Sequence, residues 1–273
     1  DIADVDAVCH VVRAFQDDSI YHVSGSVDPR RDIESVNAEL ILNDMIFVEK
    51  RLERIEKDIK KIQDKRLHQE KALLEKLKPQ LEQELPLRLL ELAEEEKKII
   101  ASYPFITLKE MIVVLNSSEA DVQNEQLLHE LQETYAPLNI DFIQVAVKVE
   151  AEIAGLETEA EKSEFLQALG IKEPALDMLT RRCITALGLM SFFTVGEDEV
   201  RQWLIRAGSS APEAAGAIHS DLQRGFIRAE VMKYSDLIEH KTEAQLKHVG
   251  KYYTKGKDYI VEDGDILNIR FNV

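Results

Sequence analysis

Apolar residues recur along this chain with two different periods, and the change of period divides it. Val5–Phe15 is a short β-branched apolar run, which predicts a buried strand with parallel neighbours. Past Pro29 the spacing changes to steps of three and four, with Ile33, Val36 and Leu40 leading into Met45, Val48, Leu52, Ile55, Ile59 and Ile62. This is the seam of a coiled coil, on a helix that starts near Arg31, where Asp32 and Glu34 suit the positive end of the helix dipole. The pattern breaks over residues 63–69 and resumes as a second stripe, Leu74, Leu77, Leu81 and Leu85, interrupted by Pro79. One stripe alone would lie in water, whereas two antiparallel arms bury both at a gain of roughly 25 cal/mol per Å² of apolar area. The spacing therefore predicts a helical hairpin.

After Pro86 an acidic helix is readable around Glu94–Ile100, then a strand at Met111–Leu115, a helix over Gln126–Tyr135 and a strand over Ile140–Val147. Strand, helix and strand at this spacing predict a βαβ unit and a parallel sheet. The C-terminal stretch is built differently. Ser191–Val195 and Gln202–Arg206 read as a hairpin, Pro212 opens a helix running to about Gln223 that Gly225 ends, and Phe226–Met232 and Asp265–Phe271 return as alternating strands. This predicts a β-grasp arrangement, a small mixed sheet over a helix.

Composition narrows the setting. Thirty-four Lys+Arg against 51 Asp+Glu give a formal charge of −17, which argues against DNA and against an anionic membrane surface as partners and leaves only local contact with RNA. The exception is the hairpin tip, where Lys57, Lys60, Lys61, Lys65, Arg66 and Lys71 form a basic island. It reads either as a solvated helix surface or as a contact for RNA or a ribosomal surface. Cys9 and Cys183 lack metal-type spacing and point to a reducing, cytoplasmic setting, and no apolar run reaches the length of a membrane span. The start at Asp1, without Met, suggests processing, a fragment or incomplete coverage.

Candidate chemistry gathers at the ends of the parallel strands, where sheets of this kind bind ligands. Asn116 carries a carboxamide, donor and acceptor at once, and can either pair with a purine edge or pin the neighbouring loop. His219 and Asp221 could pair as a general base, but no nucleophile is placed beside them, and a helix-end His making structural hydrogen bonds is the simpler reading.

Several segments together resemble the YchF-type Obg-like ATPases, which close with a TGS domain. They are 10–18, 27–34, 164–171, 192–203, the block 208–231 and Asp258–Ile266, and they cover nearly the whole chain in order. The resemblance implies an α/β fold: an incomplete P-loop NTPase-type parallel sheet with an inserted α-helical coiled-coil hairpin, then a β-grasp TGS domain. The implied division is residues 1–30 and 87–189 for the nucleotide-binding part, 31–86 for the hairpin and 190–273 for TGS.

The resemblance also implies a site. In these proteins the GTPase motif Asn-Lys-x-Asp becomes Asn-x-x-Glu, associated with ATP over GTP, because an Asp that accepts from guanine N1 and N2 has no such partner on adenine. Here the motif stands as Asn116, Ser117 and Glu119, with Ala146 and Val147 expected to contact adenine partly through the main chain. Ser117 and the Ala146-Val147 pair both depart from the usual family residues. ATP and Mg²⁺ are the implied cofactors of the complete protein, and the ribosome its partner; the resemblance says nothing of oligomeric state. Phosphoryl transfer needs a phosphate cradle, and nothing here reads Gly-x-x-x-x-Gly-Lys-Ser/Thr, so no ATP hydrolysis is expected from this chain alone. Alternatives are a non-catalytic ribosome- or protein-binding module using the arm and TGS domain, and a regulatory homologue without the nucleotide loop.

Overall fold

A computed structural model describes residues 2–121, 123–196 and 199–272; Glu197 and Asp198, inside the 192–203 segment, lie outside it. The chain divides into two compact units, Asp1–Cys183 and Ile184–Val273.

The first unit opens with β1 (Ala7–Arg13) and α1 (Pro29–Ile59). Asp28 starts α1 because its carboxylate accepts from Arg31 N at 3.2 Å, with Pro29 in the first turn. Asp64 does the same for α2 (Lys65–Glu82), accepting from Arg66 N at 2.8 Å. The two helices form the hairpin, with Val48, Ile55, Leu74 and Leu77 fully buried between and beneath them. Burial of each such side chain contributes about 1.5–3 kcal/mol. Two positions depart from the expected seam. Ile62 lies past the end of α1 and is 60% exposed, and Ile33 packs on the sheet. The expected break over 63–69 is shorter, since the Asp64 cap restarts the helix at Lys65.

Two polar clusters tie the hairpin to the segment between α2 and the next strand. Asp44 is fully buried and accepts from Ile106 N at 3.0 Å, Thr107 N at 2.8 Å and Thr107 Oγ1 at 2.7 Å. Burial raises its pKa against the pull of those three donors. Arg51 of α1 makes a bidentate pair with Glu70 of α2 at 2.5 and 2.9 Å, and the Tyr103 hydroxyl donates to the same carboxylate.

After α3 (Glu94–Ile100) come β2 (Glu110–Asn116), α4 (Gln126–Tyr135) and β3 (Ile140–Val145). The strands lie in the order β1-β2-β3, all parallel. β2 is central and buried from Met111 to Leu115. β1 pairs in parallel with β2 and buries Val12, while Val11 is 60% exposed. β3 also stops earlier than expected, and Val147 opens α5 (Val147–Ala154), followed by α6 (Glu159–Ala168) and α7 (Ala175–Ala186).

The second unit holds β4 (Leu189–Val195), β5 (Val200–Arg206), α8 (Ala211–Ile218), α9 (Ser220–Arg224), β6 (Phe226–Lys233), α10 (Tyr234–His240), α11 (Glu243–His248), β7 (Tyr253–Lys255) and β8 (Asp265–Phe271). Its mixed sheet runs β5-β4-β8-β6-β7. The single helix expected to Gln223 is two, because His219 is extended (φ −162°, ψ 142°) and its Nδ1 accepts from Asp221 N at 3.2 Å. That is a capping role. Asp265, fully buried, accepts from Lys233 Nζ at 2.6 Å, Tyr259 Oη at 2.7 Å and Glu262 N at 2.9 Å. Burial opposes the Lys233 charge, but its bonds to Asp265, Glu262 and Tyr259 outweigh this and hold its pKa above the ordinary range.

Two outcomes are expected of these clusters. Asp44→Ala leaves two buried amides without acceptors and lowers unfolding stability by about 3 kcal/mol, measured by urea denaturation. Tyr252 and Tyr259 are pushed up to about 12, by burial and then by their bonds to Glu230 and Asp265. Their folded pKa lies above the unfolded value of about 10, so this contribution is intact below pH 10 and is lost as pH rises through 12. Thermal melts between those pH values should show the fall, and Tyr252→Phe should flatten it.

Candidate functional site

The carboxyl ends of β1, β2 and β3 open onto a cleft of about 1000 Å³. The loop after β1 forms one side and is held by Arg13, whose guanidinium donates to the carbonyls of Phe15 at 3.0 Å, Asp17 at 3.0 Å and Ile20 at 2.9 Å. The loop after β2 forms another. Gln144 of β3 reaches across to donate to Asp121 O at 2.7 Å and Asn124 O at 3.2 Å, while Gln123 donates to Leu169 O.

Asn116 ends β2 at the floor of the cleft. Its Oδ1 accepts from Val147 N at 3.1 Å, which ties the end of β2 to the start of α5. Its Nδ2 makes no hydrogen bond among the described residues, so the carboxamide pins the loop with one end and keeps a donor at the other. Ser117 is buried, turns its hydroxyl back to Val145 O at 3.2 Å and sends its amide to the same carbonyl at 2.8 Å. It lines the cleft as a structural residue. Glu119 lines the cleft and is exposed. Val147 is 46% exposed and forms part of the wall, whereas Ala146 is buried behind it against Val149 and Ile153. The side chain of Ala146 therefore does not line the cleft.

Most of the lining lies outside the residues named as the site from the sequence. Phe15, Ile20, Ala151 and Leu169 supply apolar surface, and Asp17 and Lys148 supply charge. The Asp17 carboxyl is held below the usual range by its bonds from the Ser19 side chain and amide. The signal that could have found the β1 loop is the rule applied to Asn116, since β1 also ends at this edge of the sheet.

The basic island sits where the hairpin turns. Lys57, Lys60, Lys61, Lys65 and Arg66 are exposed and form no ion pair among the described residues. Lys71 does not belong with them: it bridges the arms to Glu56 at 3.1 Å and contacts Glu75 at 3.5 Å. Further down the stem Lys78 likewise crosses to Glu49 at 3.1 Å. Among the described residues there is no cluster of three His, Cys, Asp or Glu side chains able to hold a metal ion, and no helix is long and apolar enough to cross a membrane.

Comparison with known proteins fits this geometry. The family profile YchF-GTPase_C, described as a protein of unknown function (DUF933), matches residues 189–272. The chain is 48% identical over 275 residues to the ribosome-binding ATPase YchF of Bacillus subtilis, covering all of this chain and 75% of that protein. It is 43% identical over 272 residues to the protein of the same name from Escherichia coli O157:H7, covering all of this chain and 74% of the relative. The solved structure of the Schizosaccharomyces pombe YchF GTPase superposes with a TM-score of 0.85 at 37% identity, over 98% of this chain and 73% of that one.

Proposed function

The chain belongs to the YchF family, and on that premise we propose that it supplies the base-binding half of an ATP site and carries a ribosome-docking arm. The observation that carries the first part is the divided carboxamide of Asn116, fixed at Oδ1 by Val147 N with Nδ2 left to donate into the cleft. A purine ring nitrogen is an acceptor of the right kind for that donor, and Phe15, Ile20, Val147 and Leu169 offer apolar surface to the ring faces. Glu119 stands where guanine-reading versions of this motif carry Asp, which supports adenine over guanine. Ala146 contributes from behind the wall by fixing the first turn of α5.

When bound, ATP supplies a γ-phosphoryl group for transfer to water, with Mg²⁺ offsetting its charge. The residues present fit the base; the triphosphate and its metal require a phosphate loop of a kind this sequence does not contain. The chain alone is accordingly proposed to hold nucleotide weakly and without turnover, and hydrolysis belongs to a polypeptide that carries such a loop. The second part rests on the unpaired cations Lys57, Lys60, Lys61, Lys65 and Arg66 at the hairpin tip, in a chain of net charge −17. Phosphate-rich RNA on a ribosomal surface is the partner their chemistry suits.

Two measurements test this. In calorimetric titration ATP should bind about tenfold more tightly than GTP, and both Asn116→Ala and Asn116→Asp should weaken ATP about tenfold. Asn116→Asp keeps an acceptor for Val147 N, so unchanged binding in that variant would remove the donor role. In co-sedimentation with ribosomes, Lys60→Glu with Lys61→Glu should lower affinity at least about tenfold and flatten its dependence on salt between about 50 and about 200 mM. Affinity insensitive to both would refute docking through the tip.

A further inference from the structure

The five-stranded sheet of the second unit has two edges, and they are unlike. β7 is three residues long and carries Lys255, in keeping with an edge protected against pairing. β5 is seven residues long, pairs with β4 alone without a register shift, and contains no proline. Ala207 N donates to Gly188 O at 2.8 Å and Gly196 N to Glu199 O at 2.8 Å, which fixes the phase of this antiparallel ladder. Alternation from those two bonds leaves the N–H and C=O of Val200, Gln202, Leu204 and Arg206 directed away from β4.

The side chains of this edge are equally particular. Ile205 is buried and Trp203 packs beside it in the core under α8, while Val200 and Leu204, on the other face, are 69% and 46% exposed. The charged residues of the strand are Arg201 and Arg206, both exposed and neither in an ion pair among the described residues, in a chain with 51 acids to 34 bases. The Arg201 guanidinium lies 4.4 Å over the Trp203 ring, which holds it beside the strand.

We propose that β5 is a docking edge that takes an extended acidic peptide segment of a partner protein as an added strand. Its backbone pairs with the outward groups of Val200, Gln202 and Leu204 and with the Arg206 N–H, the Arg206 carbonyl already accepting from Ser209 N at 3.1 Å; alternate apolar side chains cover Val200 and Leu204, and carboxylates lie beside Arg206. Charge selects this occupant over a second copy of the chain, because two β5 edges laid antiparallel bring arginine towards arginine. It also sets polarity: Glu199 precedes the strand, so the acidic end of the peptide belongs at Arg206.

The test uses the whole chain and a fluorescein-labelled peptide, Val-Thr-Val-Ile-Glu-Glu-Glu, read by anisotropy and by backbone amide NMR. The proposal expects saturable binding, with slowed amide exchange confined to Val200, Gln202, Leu204 and Arg206. A control with Lys for Glu should bind at least about tenfold more weakly, and Arg201→Glu with Arg206→Glu should reverse that preference. Leu204→Pro removes one outward N–H without touching the β4 ladder and should abolish binding. Should that variant fail to fold, as circular dichroism would show, the charge reversal carries the test. Absence of saturable binding, equal affinity for both peptides, protection elsewhere, or self-association through β5 in sedimentation would each overturn the proposal.

Discussion

A carboxylate taken out of water costs several kcal/mol unless donors surround it, and Asp44 is tolerated in the hairpin only because three donors converge on it. All three belong to Ile106 and Thr107, a few residues ahead of β2. The bond set therefore joins the hairpin to the chain that feeds the central strand, and it permits one placement of the two. Arg51, Glu70 and Tyr103 repeat the device nearer the tip, drawing both arms and the loop after α3 onto one carboxylate. A hairpin held by apolar packing alone could slide by a turn; one held by directional bonds to buried amides cannot.

From that anchor the consequences run along β2. The strand is buried on both faces from Met111 to Leu115, so its register with β1 and β3 is set by packing as well as by the ladder. Its last residue, Asn116, is delivered to the point where all three strands end. Of the two roles that sequence reasoning held as alternatives, the pinning of the loop is the one the hydrogen bond shows. Oδ1 ties down Val147, and the residue lines the cleft. The proposed purine contact thus depends on the loop that the same side chain fixes.

Charge is arranged on the same logic in both units. Where cations and acids meet across elements they are structural, as with Lys71 and Glu56 in the stem, or Lys233 and Asp265 in the second sheet. The cations of the hairpin tip and of β5 form no ion pair among the described residues and face solvent.

Membership of the YchF family and the architecture of two sheets and a hairpin were legible in the residues themselves. Apolar spacing alone marked the arms, β2 and α4, because those elements are long or continuously buried and their period repeats often enough to be counted. It did not mark α5, α6 or α7, and α6 and α7 bury no residue fully. Nor could it mark the break at His219 or a buried aspartate in a hairpin seam. A residue's type and spacing report how it partitions between water and core. Which carboxylate meets which amide across 62 positions and which end of a carboxamide is already engaged depend on contacts that exist only once the chain has folded, and these the tertiary structure decided.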